Sequence, residues 1–187
     1  MRLYHAGTVE IRQPDIHHGR KNADFGQGFY LTPDREFALR WAGPEAVINE
    51  YELEETGLRI VRFERDAAWF DYIFQNRRVR DTLTADVVIG PIANDTIFDT
   101  LGIFTSGLLE TDVALQLMMI GPAYTQVAVK SVKAARQLTW LGAAGLRSRE
   151  DADGETEAEN QGKAGLDRER EEREYQRELA EKMQELL

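Results

Sequence analysis

Residues 24–32 read DFGQGFYLT, two glycines flanking a glutamine and running into two aromatics and a threonine. How those glycines are read decides the fold. A phosphate loop sets its glycines after a strand and before a helix N-terminus, where free amide groups and the helix dipole meet the anion. Here Gly26 and Gly28 precede a strand-like run, GFYLT, and a helix is signalled only afterwards, at Pro33. No lysine with a following serine or threonine closes the stretch, and no third glycine stands at dinucleotide-fingerprint spacing. Walker and Rossmann loops therefore fail on context. The glycines read instead as a corridor that lets backbone pass close to a ligand and delivers Tyr30, with Phe29 and Leu31 facing the other side of the strand.

Outward from this stretch, strand-like and helix-like runs alternate irregularly. RLYH, GFYLT, VINEYELE, LRIVRF, DVVIGPI and TQVAVKSV are rich in β-branched and aromatic residues and predict strands. Helices are predicted from Pro33 to Ala42, Asp66 to Val79, Asn94 to Leu101 and Thr111 to Ile120. Two strand candidates meet through EETG, which reads as a hairpin-like turn. The order favours an α+β fold with a mixed or antiparallel sheet over a doubly wound parallel one.

The composition shifts after LTWLGAAGL. Residues 1–146 form the expected body. Residues 147–165 hold acids and glycines with almost nothing to bury and read as a flexible acidic linker, and residues 166–187 read as a charged helix. On that helix Tyr175, Leu179, Met183 and Leu187 recur every four residues, a narrow apolar stripe able to pack on the body, self-associate or hold a partner. Of the net charge of −10, −6 lies from Arg147 onward, where 14 acidic side chains face 8 basic ones. That balance argues against general affinity for nucleic acid, while the nearly neutral body leaves room for a local basic patch such as Arg77, Arg78 and Arg80.

The 187 residues include no cysteine and three histidines, which excludes disulfides and thiolate metal sites and makes a metal centre a poor expectation. No run approaches the roughly 20 apolar residues of a membrane span, and MRLYHAGTVEI lacks a secretory apolar core. A soluble cytoplasmic protein without membrane contact is expected.

LYHAG places His5 at a strand end, two residues before Gly7. There His5 would donate to a ribose hydroxyl while the backbone of Gly7 pairs with a carboxamide. Taken with DFGQGFYLTPDREFALRWA, DVVIGPIANDTIFDTL and TQVAVKSVKAARQL, it resembles a bacterial family of initially unknown function within the ADP-ribosyltransferase superfamily. The likeness covers residues 2 to 140 or so and none of the tail. It implies a split, strongly bent sheet that clasps NAD, as in the His-Tyr-Glu branch of poly(ADP-ribose) polymerases and diphtheria toxin. By that resemblance His5 binds the nicotinamide-side ribose, Gly7 holds the nicotinamide amide and Tyr30 stacks on the ring, Gly26 and Gly28 lining the approach. Arg20 would meet the pyrophosphate.

The departure is at the third member, where Gln126 stands for the superfamily glutamate. A glutamine can hydrogen-bond a ribose hydroxyl but supplies no charge to an oxocarbenium-like state. Asp24 is the favoured substitute carboxylate, with Glu110 and Asp112 behind it. The expectation is an NAD-dependent mono-ADP-ribosyltransferase acting without a metal on a protein or nucleic-acid acceptor, as a toxin beside a small antitoxin. An NAD glycohydrolase and a non-catalytic nucleotide- or partner-binding module are the alternatives.

Overall fold

Strand alternation sorts the apolar residues into two cores. The computed structural model describes residues 1–43, 46–78, 81–93, 111–145 and 157–186. Among them, β1 (Arg2–Gly7), β3 (Val47–Leu53) and β7 (Leu138–Gly145) form an antiparallel sheet in the order β1-β3-β7. A second sheet, in the order β2-β6-β5-β4, is built from β2 (Phe29–Leu31), β6 (Thr125–Val129), β5 (Val87–Pro91) and β4 (Ile60–Arg62). It is antiparallel except for the parallel β4–β5 pair. The α+β class with mixed and antiparallel sheets is the one the sequence predicts.

In the second sheet Phe29, Leu31, Val87, Val127 and Val129 point one way and pack with Leu3, Tyr51, Leu53 and Leu138 of the first sheet. Val88, Ala128 and Tyr30 point the other way, toward α2 (Ala67–Arg78), α3 (Thr111–Met118) and α5 (Glu157–Leu186). The layers are thus sheet, sheet, helices. Period-two alternation alone assigns each strand residue to its core, and Phe29 and Leu31 lie opposite Tyr30 as expected. Besides this packing, among the described residues one backbone bridge joins the two sheets, where Tyr4 and Thr32 exchange hydrogen bonds of 2.8 and 2.9 Å. That bridge sets β1 beside β2 and so His5 beside Tyr30.

Helix starts follow their caps. Asp34 accepts from the Phe37 amide at 3.0 Å, so α1 (Arg35–Trp41) begins two residues after Pro33, which stays outside the first turn. Asp66 caps α2 through the Trp69 amide at 3.0 Å. The expected helix from Asn94 to Leu101 lies outside the described residues.

Two expectations need correction, and one strand was not expected. EETG does not close a hairpin: β3 and β4 belong to different sheets, and β4 pairs with β5 across the α2 crossover. LTWLGAAG, at the end of the expected body, forms a strand that its Gly and Ala residues do not signal: β7, held by its antiparallel pairing with β3. A short helix, α4 (Val132–Arg136), precedes it, capped by Ser131. Finally, α5 starts at Glu157, nine residues inside the stretch expected to be a linker. AENQGKAG carries enough Ala, Glu, Gln and Lys for a helix nucleated downstream to propagate through it.

The apolar stripe of α5 packs on the body: Tyr175 and Leu179 are buried in the helix-side core with Met183 beside them. No helix among the described residues is long and apolar enough to cross a membrane.

Candidate functional site

On the helix side of the second sheet, at its β2–β6 edge, lies a cavity of about 670 Å³, within the range of small-ligand sites. His5, Tyr30, Gln126, Asp24 and Arg20 all line it. The sequence placed these five together, and the fold does so through the Tyr4–Thr32 bridge, the β2–β6 pairing and the loop before β2.

His5 is fixed by its Nδ1, which donates to the Tyr30 carbonyl at 2.7 Å. A carbonyl only accepts, so Nδ1 carries the proton and the neutral ring leaves Nε2 as an acceptor. Burial lowers the pKa of His5 from its ordinary 6.5, against a smaller opposing effect of the Tyr30 bond. The expected polarity is therefore reversed: Nε2 can accept from a hydroxyl but cannot donate to one.

Tyr30 is held by its hydroxyl, which donates to the Gly26 carbonyl at 2.6 Å and accepts from the Phe25 amide at 3.0 Å. Burial raises its pKa well above the ordinary range, so it stays neutral. With the phenol tied into the loop, the ring plane is fixed.

Gln126 Nε2 donates to Asp24 Oδ2 at 2.9 Å and, at 3.4 Å, to the Pro91 carbonyl. Both partners are acceptors, which decides the amide orientation: the nitrogen faces Asp24 and Oε1 is the atom left for a ligand. Asp24 itself is 7% exposed. Its Oδ1 takes Arg77 Nε at 2.8 Å and Nη2 at 2.5 Å, and its Oδ2 also takes the Ala93 amide at 3.1 Å. Arg77 and Asn76, whose Nδ2 donates to the Asp24 carbonyl at 2.9 Å, come from the last turn of α2.

The substitute-carboxylate role expected of Asp24 is thus corrected. Its charge is met by Arg77, and what it does is orient Gln126. The same contact takes Arg77 out of the basic patch. Arg78 lies over the Phe74 ring at 4.4 Å, while Arg80, Glu110 and the Asp112 side chain lie outside what is described.

The glycines also change meaning. Gly7, Gly26 and Gly28 are absent from the cavity lining. Gly26 has φ +76°, and a Cβ there would sit 2.5 Å from Asp81 Oδ2; one on Gly28 would sit 2.7 Å from the Val129 carbonyl oxygen. They let the loop press onto β6 and onto Asp81, the partner of Lys130, whose pKa burial lowers to about 8. Gly26→Ala is expected to cost about 1–3 kcal/mol, readable as a lower urea midpoint with an unchanged slope.

The far end of the cavity escaped the sequence reading. It is formed by Arg40, Arg65, Tyr124, Glu171, Glu172 and Tyr175. Tyr124 sits two residues before Gln126, immediately ahead of β6, and the every-fourth-residue stripe carrying Tyr175 was the available signal for the rest. Among the described residues no cluster of three or more His, Asp or Glu is placed to hold a metal.

Residues 1–140 match the family described as "Protein of unknown function (DUF3990)". The chain belongs to the DUF3990 family. The matched DUF3990 domain contains His5, Tyr30, Asp24 and Gln126 and stops before the α5 residues that close the cavity. A search of curated proteins finds no match.

Proposed function

We propose that the DUF3990 domain binds NAD and transfers its ADP-ribose to an acceptor, releasing nicotinamide. The observation that supports this most is the convergence of a neutral, oriented His5, the fixed ring of Tyr30 and the outward carbonyl of Gln126 on one cavity. The set matches the chemistry of a nicotinamide riboside: a flat face for the cationic ring and two acceptors for ribose hydroxyls. Buried donors at the other end, Arg65 Nε and the Tyr175 hydroxyl, have no partner among the described residues, and a phosphate-bearing ligand is rich in acceptors.

In the reaction the bond between the nicotinamide nitrogen and ribose C1′ breaks. Nicotinamide leaves neutral with the electron pair, and the acceptor nucleophile bonds to C1′ and gives up its proton. Positioning the ribose is the work of His5 and Gln126, with Arg20 at the cavity mouth as a phosphate contact. A cytoplasmic toxin held in check by a small antitoxin belongs to the same proposal. Docking by such a partner on the α5 stripe would require Tyr175 and Leu179 to leave the core.

Labelled NAD incubated with the folded protein and cell lysate tests the proposal: transfer of label with nicotinamide release supports it, and their joint absence sinks it. Free ADP-ribose without labelled macromolecule would make the domain a glycohydrolase. One observation favours the non-catalytic reading: the Asp24 charge is met by Arg77, so the ribose end receives only a neutral amide from Gln126. NAD binding without any bond cleavage would establish that reading.

The pKa of His5 sets a pH dependence. Its protonated form cannot accept at Nε2, so NAD affinity is expected to be flat above pH 6.5 and to fall as the pH drops through the depressed pKa. The stability term has the same sign. Below 6.5 the unfolded chain takes up a proton that the folded site resists, so stability is also lost on acidification. Calorimetric titration with NAD across this range checks it; tighter binding on acidification would contradict the assigned tautomer.

A further inference from the structure

The far end of the cavity contains a closed ring of charge-assisted bonds. Arg40 Nη1 donates to Glu171 Oε1 at 2.6 Å and to the Tyr124 hydroxyl at 2.8 Å, and that hydroxyl donates to Glu171 Oε2 at 2.7 Å. A guanidinium and a phenol of the DUF3990 domain thus hold both oxygens of one carboxylate from α5, outside the matched domain. Burial and the bond to Glu171 push the Tyr124 pKa up to about 12, so the phenol remains a donor. Nε and Nη2 of Arg40 make no hydrogen bond among the described residues. At the same end Tyr175 is 4% exposed, and half-buried Arg65 spends Nη1 and Nη2 on the Met119, Ile120 and Gly121 carbonyls, which leaves Arg65 Nε and the Tyr175 hydroxyl as buried donors with no partner among the described residues.

Two convergent donors gripping a pair of anionic oxygens, with more donors unmet beside them, is the arrangement that recognises a phosphate. The carboxylate present is about one-third exposed, as is Arg40, so it can rotate away without undocking the helix, which Tyr175 and Leu179 hold. We propose that Arg40 and Tyr124, with Arg65 and Tyr175, form a phosphate subsite, and that Glu171 is a built-in anion that fills it until a phosphate-bearing ligand displaces it.

The inference rests on the dinucleotide reading only for which phosphate is bound. Inorganic pyrophosphate, which has no nicotinamide end, tests the two apart. Calorimetry on the full chain is expected to show pyrophosphate binding Glu171→Gln about tenfold tighter than the wild type and Arg40→Ala at least about tenfold weaker. Thermal melts verify folding, and Arg40→Lys, with intermediate affinity, stands in if Arg40→Ala melts early.

Competition between pyrophosphate and NAD assigns the subsite to the dinucleotide; independent binding assigns it to a phosphate on the acceptor. Both uphold it. If pyrophosphate shows the pattern and NAD binds none of the proteins, the dinucleotide reading falls and the subsite stands. If NAD binds but pyrophosphate binds all three folded proteins equally, or none, the subsite is overturned.

Discussion

Asp24→Ala is expected to lower folding stability by about 3–5 kcal/mol, the cost of stripping one partner from a buried ion pair. The carboxylate satisfies four donors at once: two from Arg77, the Ala93 amide and Gln126 Nε2. Removing it takes the Asp24 carboxylate from a guanidinium that is 20% exposed, leaves the Ala93 amide unmet and leaves Gln126 Nε2 with only its 3.4 Å bond to the Pro91 carbonyl. Urea denaturation measures the loss, and a change under about 1 kcal/mol would show that the network contributes little. Since such a loss is a large share of a domain's stability, Asp24→Asn is the companion variant. Its Oδ1 can keep Arg77, but its Nδ2 then confronts Gln126 Nε2, and the Gln126 amide must flip. The flip turns a donor toward the cavity in place of Oε1. Asp24→Asn is therefore expected to lose less stability than Asp24→Ala yet still to weaken NAD binding, a separation that a purely structural Asp24 would not produce.

The same network shows what the sequence could and could not tell. DFGQGFYLT placed Tyr30 correctly because strand alternation is local: Phe29 and Leu31 are apolar on one side, and the residue between them must face the other. His5 and Gln126 were legible as chemistry-bearing side chains on strands, though β1 runs on past His5 to Gly7. Their polarity was not. Which nitrogen of His5 holds the proton depends on the Tyr30 carbonyl, 25 residues away, and which end of Gln126 faces a ligand depends on Asp24, 102 residues away. The glycines were misread for the same reason. A bare backbone next to a ligand and a bare backbone next to Val129 leave identical marks in a sequence.

The EETG turn carries the parallel lesson for topology. Local signals for a tight turn are the same whether the following strand doubles back or crosses to another sheet. The choice here falls to β5, whose apolar run takes β4 as a parallel neighbour. The role of α5 was open because a stripe of four apolar residues is compatible with several partners. The body supplies one, with Tyr175 and Leu179 entering the core.

Gln126→Glu, which installs the residue type that the proposed ADP-ribosyltransferase likeness implies at this position, is expected to be harmful here. It would set a second carboxylate where Nε2 now lies 2.9 Å from Asp24, and like charges that close cannot both ionise cheaply. The pair would hold one proton above the ordinary carboxylate range. A folded pKa raised above the unfolded value adds stability at low pH that is lost as pH rises through it. The variant should thus match the wild type near pH 4 and fall about 3 kcal/mol below it at pH 7, for a shift of about two units. Urea denaturation at the two pH values checks this, and a pH-independent difference would refute it.

The double variant Asp24→Asn with Gln126→Glu follows from the same geometry. The introduced amide nitrogen on the loop can donate to the introduced carboxylate on β6, while the amide oxygen still accepts from Arg77. The single negative charge thereby moves from the loop to β6, and most of the pH 7 stability should return. If the ribose end of the cavity is limited by missing negative charge, the double variant should also release nicotinamide from NAD faster than the wild type. Recovered stability with unchanged turnover would mean that Gln126 is sufficient where it stands, and that Asp24 is there to aim an amide.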